Sequence, residues 1–440
     1  MLILGEVLVD YTLATKETPC KLRLGGIVHA ARGLWANDTK YSAAVICPTY
    51  LQKEITQYLE THGCSEIIFI GEVVGAPNVI SFSDPKEIGH QGYEELLRDR
   101  KQISLYDNIS DKLKGYKEVV IFPGGFDLIC IKALFGLDTR FSLDIAYDIN
   151  SVNEIIPFKG QLRAIFLSTS SELFLTFGKN DITPLLEQIA SISAEALIFK
   201  ENRGGSRVFD FTSDKEVCIP AILSKTVNSV GVGDVYSAVT VSKKSSLHMD
   251  WEDSAWLGAL SATAYSQTTF PDDFKRDVKR NNDVPLQHHK LIGGATLTWH
   301  DRPSYSIYLA APDFSYVERQ ALDKLIKSLE YHNFKLRRPI IENGELNENS
   351  TDFERRLVYS KDCAMIDECE LMIAVPLNRD PGTLVEIGIA IAKGKPVITY
   401  DPYCENDNNM VIQGSNIYSS DIDECLNGLF SLVSKLGATK

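Results

Sequence analysis

RDPGTLVEIGIAIAKGKPVITY, residues 379–400, is small or apolar almost throughout from Gly382 to Lys393, and one carboxylate, Glu386, interrupts it. A lone acid in a run built for an interior either serves the backbone or does chemistry. The backbone reading is a capping box, Thr383-Leu-Val-Glu386, in which a first-turn Glu satisfies a helix start. The chemical reading rests on neighbours: Asp380 just before it, Asp362 on a preceding helical pattern, and Tyr308 on an upstream strand-like run. A carboxylate in a first helical turn is favoured in its ionised form by the helix dipole. In a dry pocket such a group suits a nucleophile or the stabilisation of a cation. A second carboxyl group, Asp380 or Asp362, would carry a proton to a leaving group. Paired carboxylates with split roles are the usual apparatus for cleaving a bond at an anomeric carbon.

A second constellation is NSVGVGDVYSAVTV, residues 228–241. Gly231 and Gly233 flank Val232 just before a helical run, and Asp234 opens that run. A glycine loop at a helix start presents free N–H groups to an anion. An Asp there would accept a proton from a hydroxyl attacking a phosphoryl group. The structural alternative is a tight turn with Asp234 as N-cap.

Two sets of elements must position these groups. From Met1 to about Gln267, short β-branched runs such as YSAAVIC, EVVIFPG, FSLDIAY, RAIFLST and EALIFKE alternate with helical patterns. That alternation predicts a large α/β layer with a mainly parallel sheet, over 1–270. Residues 271–304 are rich in charge, Asn, Pro and His and read as a linker; His288 and His289 there read as solvated. Residues 305–440 then give SIYLAAP, FKLRRPII, LMIAVP and KPVITY as strands, with helical patterns between them. Four βα units in this length fit a small, flavodoxin-like doubly wound parallel sheet, whose site lies at the carboxyl ends of the strands.

Composition bounds the partners. The chain has 440 residues, too many for one ordinary core, and 44% hydrophobic with 24% charged residues is a globular composition. A net charge of −14 without a lysine-rich block argues against nucleic acid, while small anions such as nucleotides remain open. Nine cysteines without a CxxC pair imply reduced structural thiols, a cytoplasmic setting and no metal site. MLILGEVLVDYTL reads as a first strand, not a leader, and no apolar run reaches membrane-spanning length.

Over roughly 305–418 the chain resembles the nucleoside 2-deoxyribosyltransferases, on IYLAAP, KDCAMIDECELMIAV, RDPGTLVEIGIAIAKGKPVI and NNMVIQG. The resemblance implies that Glu386 is the nucleophile at C1′ of deoxyribose and that Tyr308 holds it. Asp362 and Asp380 would bind the base and manage its proton. Asn408 and Met410 match a segment that in the family reaches a neighbouring subunit's site and helps bind the sugar, which implies a homo-oligomer. Nucleosides and nucleobases are the implied partners, with no cofactor for this part. Relatives of the same fold hydrolyse nucleoside monophosphates, and transfer differs from hydrolysis only in whether water is excluded.

Over about 1–270, LGEVLVDY, LGGIVHAARGL, FPGGFD, SSEL and KENRGGSRVF follow in order with the glycine loop, and together resemble the ribokinase-like (PfkB) sugar and nucleoside kinases. That resemblance implies ATP with Mg²⁺. Asp234 would be the base, with Gly231, Val232 and Gly233 as the anion hole. Asp10, Gly25 and Gly26 would contact the sugar, joined by His29, which stands where the family has Asn. Lys200, Gly204 and Gly205 would lie near ATP, and Glu172 would organise Mg²⁺ through water. Asn228, Ser229 and Thr169 are further departures from the family pattern at substrate- or metal-facing positions.

Overall fold

The computed structural model describes residues 1–15 and 19–438. The chain forms two compact units, one of residues 1–86 and 91–296, the other of 87–90 and 297–440.

The larger unit is built on a ten-stranded sheet. Its central strands run parallel from Ala196–Lys200 across to Cys64–Val74, with Leu2–Glu6 near the middle. Antiparallel strands close both edges. Leu2–Glu6 and Tyr41–Cys47 are buried at every position, as expected of parallel strands covered on both faces. A second, four-stranded sheet holds Lys21–Leu24, Val9–Thr12, Val79–Phe82 and Glu94–Glu95, in that order. Asp10 stands on this small sheet, and the chain then returns through Gly25 and Gly26 into the helix Ile27–Ala36.

Where a linker was expected, the structure has helices. Pro271–Asp283 and Leu286–Ile292 are both helical. Phe274 and Val278, one helical turn apart, are buried against Val235, Val239 and Tyr265. Pro271 supplies the helix start, since its missing N–H is not needed at that position. Two apolar anchors in an otherwise charged stretch suffice because the packing partner is already in place.

The smaller unit is a five-stranded, wholly parallel sheet. From one edge its strands are Lys335–Arg337, Ser306–Ala310, Leu371–Ala374, Val397–Tyr400 and Ile417–Ser419. In chain order within the unit this is 2-1-3-4-5, the flavodoxin-like arrangement, whose direction reverses between the first and third strands. The fifth strand, three residues long at the sheet edge, was not anticipated. Pro339 ends the second strand early, and FKLRRPII becomes a strand followed by the helix Pro339–Asn343.

Candidate functional site

The crevice of the smaller sheet opens between its first and third strands, and the predicted acids and tyrosine gather around it. Tyr308 lies mid-strand in Ser306–Ala310, fully buried, facing Met372, Ala374 and Ile387. Its hydroxyl donates to Glu386 Oε1 at 2.6 Å. Glu386 stands on the helix Pro381–Ala392, which follows the third strand.

The capping box does not form. The N-cap is Asp380, whose Oδ2 accepts from the Thr383 backbone N–H at 2.7 Å and from the Thr383 hydroxyl at 2.8 Å. Pro381 occupies the first helical position, which places Glu386 in the second turn, not the first. The dipole is therefore a weaker influence on Glu386 than expected, because it fades within one turn. Burial dominates instead and pushes its carboxyl up to about 7, with the charges of Asp362 and Asp380 adding to the rise and the Tyr308 hydroxyl opposing it. Near neutral pH such a carboxyl is divided between its two forms. Burial and the Glu386 charge raise Tyr308, so it stays a phenol and a donor.

Asp362, on the helix Asp352–Glu368, is raised by burial. Its Oδ1 accepts from Asn343 Nδ2 at 2.7 Å. Asn343 was not singled out in the sequence; it reaches Asp362 only because the short helix after the second strand ends beside it. An Asp362 raised by burial beside a Glu386 near 7 puts two carboxyl groups with perturbed affinities for a proton in one place, the kind of pair that acid and nucleophile roles use.

The loop into this helix is strained. Asn378 and Arg379 take positive φ values of 55° and 53°, a region non-glycine residues avoid, at a cost of order 1 kcal/mol or more each. Arg379 donates to the Glu405 carbonyl, and the Asn378 backbone N–H to the Glu405 carboxylate at 2.7 Å. Glu405 belongs to a loop organised by Asp401, which accepts from the backbone N–H groups of Glu405 and Asn406 and from Tyr418 Oη at 2.6 Å. That loop delivers Asn408, which caps the helix Asn409–Gly414 through the Met410 N–H. Met410 itself is 78% exposed.

The larger unit brings together its own predicted set. Gly231, with φ 81°, is the N-cap of the helix Val232–Leu247, so Asp234 is not the cap. Burial and the charge of Asp144 push the Asp234 carboxyl well up, against the pull of Lys200. The Lys200 ammonium donates to Asp144 Oδ2 at 2.7 Å and to Ser237 Oγ at 3.3 Å. It would stand 3.2 Å from a Cβ at Gly233, close against the turn. Gly204 and Gly205 lie in the turn that joins the antiparallel strands Ala196–Lys200 and Ser206–Asp210. Glu172 is exposed in the first turn of the helix Glu172–Phe177.

On the expected sugar side, polar groups face one another. Asp10 Oδ2 lies 3.2 Å from Arg23 Nε and 3.0 Å from His29 Nε2. The His29 contact is bent away from hydrogen-bond geometry. Burial lowers His29 to about 4, so its ring is neutral near pH 7; Asp10 is held below its ordinary value against its burial, with the Arg23 guanidinium beside it. His29 Nδ1 meets Tyr265 Oη at 2.7 Å. Arg23 Nη2 donates to Asn228 Oδ1 and to the Val230 carbonyl at 3.1 and 3.0 Å. A Cβ at Gly25 would fall 2.0 Å from Asp10, and one at Gly231 2.1 Å from the His29 ring. His29 therefore fills the space beside the glycine turn.

Among the described residues no helix is long and apolar enough to cross a membrane. Residues 307–420 match the family model described as nucleoside 2-deoxyribosyltransferase, so the smaller unit carries a domain of that family. A search of curated proteins finds no match to the chain. Solved structures similar to it include a ribokinase from Giardia lamblia, at 12% identity over 65% of this chain and 99% of that one, with TM-score 0.49. Others are a nucleoside kinase from Methanocaldococcus jannaschii, at 18% over 63% and 98% with TM-score 0.43, and one from Burkholderia thailandensis in complex with inosine, at 14% over 64% and 96% with TM-score 0.44.

Proposed function

We propose that the smaller unit transfers a 2-deoxyribosyl group between nucleobases through an ester on Glu386. The Tyr308–Glu386 hydrogen bond inside a buried acid cluster, in a segment matched by the transferase family, carries this reading. The ionised Glu386 carboxylate attacks C1′; the C1′–N bond breaks and its electron pair leaves with the base. Asp362, raised by burial, supplies the proton to that base, and Asp380 stays fixed at the helix start while contacting it. A second base attacks C1′ from the face the first one left and gives its N–H proton to the Asp362 carboxylate, Glu386 departs as carboxylate, and configuration is retained. Tyr308 steadies the carboxylate and favours its reactive form. Asn408 and the exposed Met410 extend toward a neighbouring copy, which completes the sugar site in a homo-oligomer.

For the larger unit, phosphotransfer would place ATP phosphates at Gly231, Val232 and Gly233, with Lys200, Gly204 and Gly205 alongside and Mg²⁺ organised by Glu172. Asp10 already engaged by Arg23 and His29 favours the alternative, a ligand-binding unit that does not phosphorylate a neutral sugar.

The test is a mixture of deoxynucleosides and free bases incubated with the full chain, with products read by mass, with and without ATP. Exchanged nucleosides that vanish in Glu386→Ala support the reading; exchange that survives in Glu386→Ala overturns it. Deoxynucleoside incubated without acceptor, then acid-quenched, is expected to leave a deoxyribosyl adduct on the Glu386 peptide.

A further inference from the structure

Arg32 is a buried cation without a counter-charge. It sits on the helix Ile27–Ala36 and is 7% exposed. Its Nε donates to Tyr58 Oη, its Nη1 to Tyr265 Oη at 2.9 Å, and its Nη2 to the Leu24 carbonyl at a long 3.5 Å. The guanidinium also lies 5.1 Å from the centre of the Tyr58 ring. Among the described residues no carboxylate pairs with it. A guanidinium has five N–H donors, so Nη1 and Nη2 each keep one to spare. Burying a charge without an opposite charge is costly, and proteins seldom leave one so without a use for it.

Arg32 lines a cavity together with Arg23, Tyr265, Thr268, Thr269 and the apolar Phe270, Pro271 and Phe274. Arg23 commits its Nε to Asp10 and its Nη2 to Asn228 and Val230, which leaves Nη1. Two guanidiniums line the pocket and give it positive charge. The enclosed space is about 10 Å³, room for one oxygen-sized group. A space of that size beside two arginines admits one oxygen of an oxyanion, and Thr268 and Thr269 belong to the same lining.

We propose that this pocket binds a phosphate monoester, and that the larger unit recognises a phosphorylated small molecule by it in place of a neutral sugar. Arginine pairs recognise phosphate through parallel N–H···O bonds, which a hydroxyl cannot match. The pocket shares Arg23 with Asp10. The inference concerns binding alone and holds whether or not the smaller unit exchanges bases.

The experiment is calorimetric titration of the full chain at low salt with ribose 5-phosphate, inorganic phosphate, ribose and acetate. Ribose 5-phosphate is expected to bind, inorganic phosphate more weakly, and ribose and acetate not at all. Arg32→Gln is expected to weaken ribose 5-phosphate binding at least about 10-fold, with Arg32→Lys in between, circular dichroism confirming the fold. Should Arg32→Gln fail to fold, Arg23→Gln, at a site 17% exposed, is expected to lose affinity likewise. Absence of phosphate binding by the unaltered chain overturns the proposal. So does equal binding of ribose or acetate, or unchanged phosphate affinity in a folded arginine variant.

Discussion

Replacing Tyr308 by Phe removes one oxygen and leaves the ring in its buried seat. The lost bond is the 2.6 Å donation to Glu386, and it is the influence that holds the carboxyl down against burial and two neighbouring acids. A hydrogen bond to a charged group is worth about 1.5–3 kcal/mol, and about 1.4 kcal/mol corresponds to one pKa unit, so the shift is roughly 1–2 units. Glu386 then moves from about 7 to roughly 8–9. At pH 7 the ionised fraction falls from about half to roughly 1–10%, and base exchange should fall about 5- to 50-fold. Above pH 9 most of the rate should return. The assay is kcat/KM for exchange between a deoxynucleoside and a free base across pH 5 to 10, for both proteins. A loss of equal size at every pH, with the acid limb still near 7, would refute the electrostatic argument and leave Tyr308 a spacer.

Glu386→Gln tests the same burial through stability. A carboxyl raised in the folded state favours folding fully below its unfolded value, and that contribution is lost as pH climbs to about 7. The variant should therefore match the parent in thermal melts near pH 4 and exceed it at pH 8, by at most about 3 kcal/mol for the smaller unit; a gap that does not vary with pH would count against this. Asp380→Asn keeps an N-cap and removes a charge, so the acid limb of exchange should move down with little loss of stability, whereas Asp380→Ala should cost about 1 kcal/mol in denaturant melts as well. Gly231→Ala forces a Cβ into the His29 ring at φ 81°, and should destabilise the larger unit by more than about 1–2 kcal/mol in the same melts.

Much of the fold was legible because buried parallel strands leave short β-branched runs between helical patterns. The smaller sheet's crevice followed from the order of its elements, and Asp380 and Glu386 from the loop and helix after the third strand. What the chain hid were contacts that only folding creates. Asn343 lies 19 positions from Asp362 and carries no pattern pointing to it. Thr383-Leu-Val-Glu386 has the letters of a capping box, but Asp380 and Pro381 open the helix one turn earlier and win that competition. A box with those letters does form elsewhere, at Thr351 and Glu354. His29 stood out as a departure from a motif; that its ring would occupy the space beside Gly231 was beyond reach without coordinates.

Arg23 works as a tie rod. It is rooted in a strand of the small sheet and fastened to Asn228 and to the carbonyl of Val230, the residue before the glycine turn. Lifting that sheet pulls on the turn, and reshaping the turn tugs the sheet. Whatever draws the guanidinium away unlatches both at once, so a guest at one end of this rod is felt at the other without any hinge between them.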